Sequence, residues 1–184
     1  MQPSMMAILI ASVLIVASIA WLIHDRARSR RLRERFGTEY DRIVGETGNR
    51  HRAESELEQR EAHAIQVRDR GLDFRGRDRF VSEWKHCQAQ FVDDPAGALD
   101  SAEVLLSEVM RARGYAADNP FDRMMDIAAA YPEHASRYRD ACRTMARNRK
   151  GQASTDELRT AFLYYRTLFD DVLGGYREEF RRAA

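Results

Sequence analysis

The residues able to do chemistry are few and scattered. The five histidines are His24, His51, His63, His86 and His134. A metal site built from histidines on one helix face places two of them three or four residues apart, and no pair here has that spacing. His86 and Cys87 are adjacent, and neighbours on a helix point about 100° apart. A Cys–His nucleophile pair therefore depends on a tertiary contact that spacing does not supply. Cys87 and Cys142 are the only cysteines, too few for a disulfide framework. Both fall on apolar helical faces and read as small buried hydrophobes. Asp93 and Asp94 precede Pro95 and are explained by helix capping, and Glu178 and Glu179 lie in a charged tail. Walker, GxGxxG and HExxH strings are missing from the sequence. No catalytic residue, no metal ligand and no cofactor is expected. On the last helical stripe Phe162, Tyr165 and Phe169 have core spacing. Tyr164 falls off that stripe and is the candidate partner contact.

The elements that hold these residues begin with an anchor. From Met5 to Ile23 the only polar residues are Ser12 and Ser18, a run of 19 residues. At about 1.5 Å per residue a helix of that length nearly crosses a bilayer core of roughly 30 Å. A helix is required, because hydrocarbon offers no partner to a free backbone N–H or C=O. Trp21 suits the interface. Arg26, Arg28, Arg30, Arg31, Arg33 and Arg35 follow, against only Asp25 and Glu34. Positive flanks stay in the cytoplasm, so these six arginines orient the chain with its N-terminus out and its body in, at the inner (cytoplasmic) membrane. The same run can touch anionic headgroups. Ser18-Ile19-Ala20 resembles a signal-peptidase site. The four residues before Met5, however, lack the basic charge of a signal peptide, so an uncleaved anchor is expected.

Composition fits this division. The chain has 184 residues, 32% of them charged, a net charge of +1 and a mean hydropathy of -0.58. With so apolar a start the rest must be very polar, enough for one small core and no second span. Of 30 basic residues 28 are Arg, the others being Lys85 and Lys150. That skew reads as a bacterial genome rich in guanine and cytosine. Acidic residues nearly cancel it, so nucleic acid is not an expected partner.

Beyond the anchor, Leu32, Phe36, Tyr40 and Ile43 continue a helical stripe until Gly45, Gly48 and Asn49. Residues 50–70 mix five acidic residues with five arginines over a thin stripe of Ala53, Leu57, Ala64 and Val67. This predicts a solvated helix with local ion pairs, a spacer or weak coiled-coil strand. Residues 71–77 read as a turn. Phe80, Trp84, Cys87 and Phe91 then mark the first bundle helix. Asp94-Pro95 and Asn119-Pro120 each announce a cap followed by a proline at the first helical position. Leu99, Ala102, Leu105, Leu106, Val109 and Met110 form the stripe that Gly114 ends. Phe121, Met124, Ala128 and Tyr131 form the next, and Ala135, Tyr138, Cys142 and Met145 the one after Pro132. Ser154 with Glu157 is a capping box opening the stripe of Leu158, Phe162, Tyr165, Phe169 and Val172. The expected fold is all-α, with a transmembrane helix, a charged helical spacer and a bundle of about five helices. Its divisions are 1–4 outside the membrane, 5–24 the span, 25–48 a basic juxtamembrane segment, 49–75 the spacer, 76–174 the bundle and 175–184 a charged tail.

The strings Leu32-Arg33-Glu34-Arg35-Phe36-Gly37-Thr38-Glu39-Tyr40-Asp41-Arg42, Phe91-Val92-Asp93-Asp94-Pro95, Val109-Met110-Arg111-Ala112-Arg113-Gly114-Tyr115 and Gly151-Gln152-Ala153-Ser154-Thr155-Asp156-Glu157-Leu158-Arg159 give a further expectation. In that order they resemble an uncharacterised family of bacterial single-pass membrane proteins. Residues 72–77 depart from the pattern by lacking a proline. The resemblance implies an anchor and a helical cytoplasmic domain, and no activity. The expected function is therefore a non-enzymatic scaffold or interaction module. Its partners are the lipid bilayer and another protein or a second copy of the chain. The alternative is a small-ligand or stress-sensing bundle with a pocket near Trp84, Met124, Met125 and Cys142.

Overall fold

The structure is a computed structural model that describes residues 3–69, 74–116 and 118–174. Among the described residues there are eight helices and no strands. They are α1 (Pro3–Phe36), α2 (Thr38–Thr47), α3 (Arg50–Asp69), α4 (Phe74–Asp93), α5 (Pro95–Arg113), α6 (Pro120–Ala130), α7 (Pro132–Asn148) and α8 (Thr155–Val172). The chain divides into two compact units, Met1–Ser55 and Glu56–Ala184. The boundary falls inside α3.

In the first unit α1 runs unbroken through the apolar stretch and the arginine run. It is long and apolar enough to cross a membrane, and Ile10–Ile23 carry exposed side chains throughout. Gly37, at φ 62, separates α1 from α2 by a single residue. Its amide donates to Arg33 O, and the Tyr40 amide to Gly37 O. An L side chain resists that left-handed φ, so glycine permits the break. Gly48, at φ 65, ends α2 in the same way. The stripe read from sequence is the buried one: Leu32, Phe36, Tyr40 and Ile43.

In the second unit α4 packs on α5, α5 on α8, α8 on α7 and α7 on α6. The local signals position these helices. The Asp94 side chain accepts from Gly97 N at 2.9 Å, and the Asn119 side chain from Asp122 N at 2.8 Å. Gly114, at φ 99, closes α5, and Ser154 and Glu157 form the reciprocal box at α8. Trp84 stacks on Phe162 and Phe169, with centroids 5.1 and 4.7 Å away. Tyr138 meets Tyr165 edge-on at 5.8 Å.

Three expectations are refined. The stripe read over 50–70, Ala53, Leu57, Ala64 and Val67, is buried on α3, and Glu54 and Glu61 are buried with it. Arg50 and Glu54 make a local pair of the expected kind, while Arg60 pairs with Asp122 and Asp126 of α6. The bundle therefore exceeds the five helices α4 to α8, because the later turns of α3 belong to the same unit. Within the segment 71–77, expected as a turn, residues 74–77 are already part of α4. Residues 70–73 and the tail 175–184 lie outside the described residues.

Candidate functional site

The six arginines from Arg26 to Arg35 occupy the last three turns of α1 and are not equivalent. Arg26 and Arg31 are exposed and Arg35 is half-buried. Arg30 pairs with Glu34 at 2.8 Å. Arg33 pairs with Asp41 at 2.7 Å and lies over the Tyr40 ring, 5.3 Å from its centroid. Arg28 is drawn inward, 4.0 Å from Glu54.

Glu54 is the centre of a polar cluster that sequence reading assigned to solvent. It is fully buried, and an isolated buried carboxylate would cost several kcal/mol. The Ser29 hydroxyl donates to Glu54 Oε1 at 2.5 Å and the Tyr40 hydroxyl at 2.7 Å. Arg50 Nε stands 3.7 Å from the same oxygen. Burial and the bond to Glu54 push the Tyr40 phenol above its ordinary range, so it is a standing donor. Arg50 also pairs with Asp25, and His51 Nδ1 lies 3.8 Å from Asp25 Oδ1. Residues of α1, α2 and α3 thus converge one turn beyond the apolar run. No local pattern announces this, because the partners are 14 and 25 residues apart.

A second network lies in the bundle core. Arg123, on α6, is buried. Its Nε donates to the Tyr138 hydroxyl at 2.8 Å and its Nη2 to Glu103, while the Tyr138 hydroxyl donates to Glu103 at 3.0 Å. The Tyr165 hydroxyl donates to Met145 Sδ at 3.1 Å and lies 4.0 Å from Cys142 Sγ. A cleft of about 280 Å³ between α5 and α6 reaches Glu103 and Arg123. A wider groove of about 560 Å³ runs between α4 and α5, past Cys87, Val104 and Glu108.

The chemistry of these groups is quiet. Burial pushes the Cys142 thiol up to about 11 and the Cys87 thiol upward as well. Thiols act as nucleophiles through the thiolate, so both are held in the unreactive form at neutral pH. Cys87 is buried, Cys142 half-buried, and both are free. His86 turns away from Cys87 and lies 2.8 Å from the carbonyl of Ser82, on its own helix. His134, on α7, is buried, and its Nε2 meets Asp171 at 2.6 Å with Glu133 at 3.9 Å. His24 is exposed at the end of the apolar run. Of the residues named for a pocket, Met125 is fully buried, and Trp84, stacked on Phe162 and Phe169, also lines a cleft of about 220 Å³ between α4 and α8.

Tyr164 is half-buried on α8, next to Leu163, which is 50% exposed, and Tyr165, which is fully buried. The off-stripe reading of Tyr164 therefore corresponds to a partly open position beside an exposed apolar side chain. The chain matches no protein-family profile, no curated protein and no solved structure.

Proposed function

We propose that this chain is a non-enzymatic, single-pass membrane protein of bacterial type whose helical body faces the cytoplasm and binds another protein or a second copy of itself. In this reading α1 spans the inner membrane with its N-terminus outside. The observation that carries it is the pairing of an apolar run, exposed over residues 10–23, with an arginine-rich exit on the same unbroken helix. Positive flanks are retained on the cytoplasmic side, and Arg26 and Arg31 remain exposed there. The body offers raised thiols and interlocked ion pairs, a chemistry that stabilises shape more readily than it turns over substrate. Leu163 with Tyr164 is the contact surface this reading selects.

The test uses the full chain in mild detergent. Sedimentation and cross-linking of the wild type are compared with Leu163→Asp and Tyr164→Ala, with helical content monitored by circular dichroism. Loss of a defined complex in the variants at unchanged helicity supports the reading. Identical complexes in all three, or turnover of a substrate by the purified chain, contradicts it.

A second reading, small-ligand binding, is favoured by the α5–α6 cleft, whose floor holds the paired charges of Glu103 and Arg123. A ligand there raises the melting temperature of the wild type and not that of Glu103→Gln.

A further inference from the structure

We propose that Asp25, His51 and Glu54 form a binding site for a divalent transition-metal ion where the anchor helix α1 meets the start of α3. One carboxylate oxygen from each acid and one ring nitrogen of His51 lie within 4.8 Å of one another. That spread lets three donors close on one ion at ordinary bond lengths with small side-chain movements. His51 and Glu54 are three residues apart on α3 and so share a face. Asp25 comes to them from α1. Two carboxylates and an imidazole suit manganese or zinc, with water completing the shell.

The support around Glu54 is what distinguishes this cluster from an ordinary group of acids. Two hydroxyls, of Ser29 and Tyr40, fix one oxygen of its carboxylate. The other oxygen, Oε2, is buried and accepts no hydrogen bond. Arg28 Nε stands 4.0 Å from it, beyond hydrogen-bond reach. A carboxylate clamped by outer donors at one oxygen, with no hydrogen bond at the other, is arranged as a ligand is. His51 is exposed, so the ring nitrogen not facing Asp25 can be hydrated. The other grouping of this kind among the described residues, Glu133, His134 and Asp171, lacks that provision. There the second ring nitrogen of His134, Nδ1, is sealed without a partner, which leaves a metal-bound imidazole with an unsatisfied N–H.

Arg50 is the built-in competitor. It pairs with Asp25 and approaches Glu54, supplying in the metal-free chain the positive charge that the ion would bring. Its side chain is 44% exposed, so it can turn out to water when an ion enters. Removing it makes metal binding tighter, the opposite of what damage to the fold would do.

The experiment titrates the full chain in detergent with Mn²⁺ and reads free Mn²⁺ by electron paramagnetic resonance. The expected result is one saturable ion per chain, displaced by Zn²⁺. Affinity falls about tenfold or more in Asp25→Asn and His51→Ala, rises in Arg50→Gln, and is unchanged in His134→Gln. Absence of saturable binding, binding that survives both Asp25→Asn and His51→Ala, or no gain in Arg50→Gln overturns the proposal.

Discussion

Arg60 and Asp126, 66 residues apart, meet at 2.8 Å between Nε and Oδ1. The same guanidinium reaches Asp122 at 2.7 Å. Asp126 is almost fully buried, and its other oxygen accepts from Ala116 N at 2.8 Å. Arg60 thus fastens α3 to α6, through an Asp126 that also holds the Ala116 amide. An exposed ion pair contributes about 0–1 kcal/mol, whereas stranding one partner of a buried pair costs about 3–5 kcal/mol. With Arg60 itself a quarter exposed, Arg60→Ala is expected to cost about 2–3 kcal/mol, between those limits. The exposed pair Arg159–Asp156 provides the control, and Arg159→Ala should stay within about 0.5 kcal/mol. Thermal melting of the two variants in the same detergent separates these outcomes; equal shifts would return α3 to the role of a spacer.

Gly97 is required by the cap beneath it. A Cβ placed there would stand 2.0 Å from Asp94 Oδ2 and 2.8 Å from the Gln90 side-chain nitrogen. Gly97→Ala therefore expels the Asp94 carboxylate from its place at the start of α5. Loss of such a cap costs about 1 kcal/mol, while alanine in place of a helical glycine returns about 0.5–1 kcal/mol. In the native background the two nearly cancel. In an Asp94→Ala background only the gain remains, so the double-mutant cycle should show a coupling of about 1 kcal/mol. Additive effects in the melting curves would mean that the cap and the glycine are independent.

Glu157 makes folding of the second unit sensitive to acid. The Ser154 amide first, then Arg147 and the Ser154 hydroxyl, hold its carboxyl down to about 2. A folded-state value below the unfolded one means the carboxylate form favours the native state. That contribution is complete above the ordinary range, near 4.5, and is lost as pH falls toward 2. Glu157→Gln should melt lower than the wild type at neutral pH and show a flatter decline between those two values. Melting temperature against pH gives the comparison. Parallel profiles would assign the acid sensitivity to other carboxylates.

What could be read in the sequence was local. Asp94 with Pro95, Asn119 with Pro120, and Ser154 with Glu157 need only three or four residues of context, because a cap is satisfied by its own first turn. The apolar run of α1 is likewise legible, since its length and composition are the constraint. Glu54, Arg60, Arg113 and Arg123 were hidden for one shared reason. A charged residue in a charged stretch reads as solvated, and only tertiary approach shows that it is paired. Arg113 illustrates the point: it is buried and donates to the backbone carbonyls of Arg68, near the end of α3, and Val172, at the end of α8. Carbonyls at helix ends have no intrahelical donor. A guanidinium placed there satisfies two helices at once, and nothing near Arg113 in the sequence names either of them.

In the proposed topology α1 anchors the chain and leaves its helical body in the cytoplasm. The direct measurement places alkaline phosphatase or green fluorescent protein after Ala184 in bacterial cells. A fluorescent fusion that sediments with membranes and resists alkaline extraction, together with an inactive phosphatase fusion, is the expected result. Active phosphatase, or a fusion released into a soluble fraction, would contradict the account.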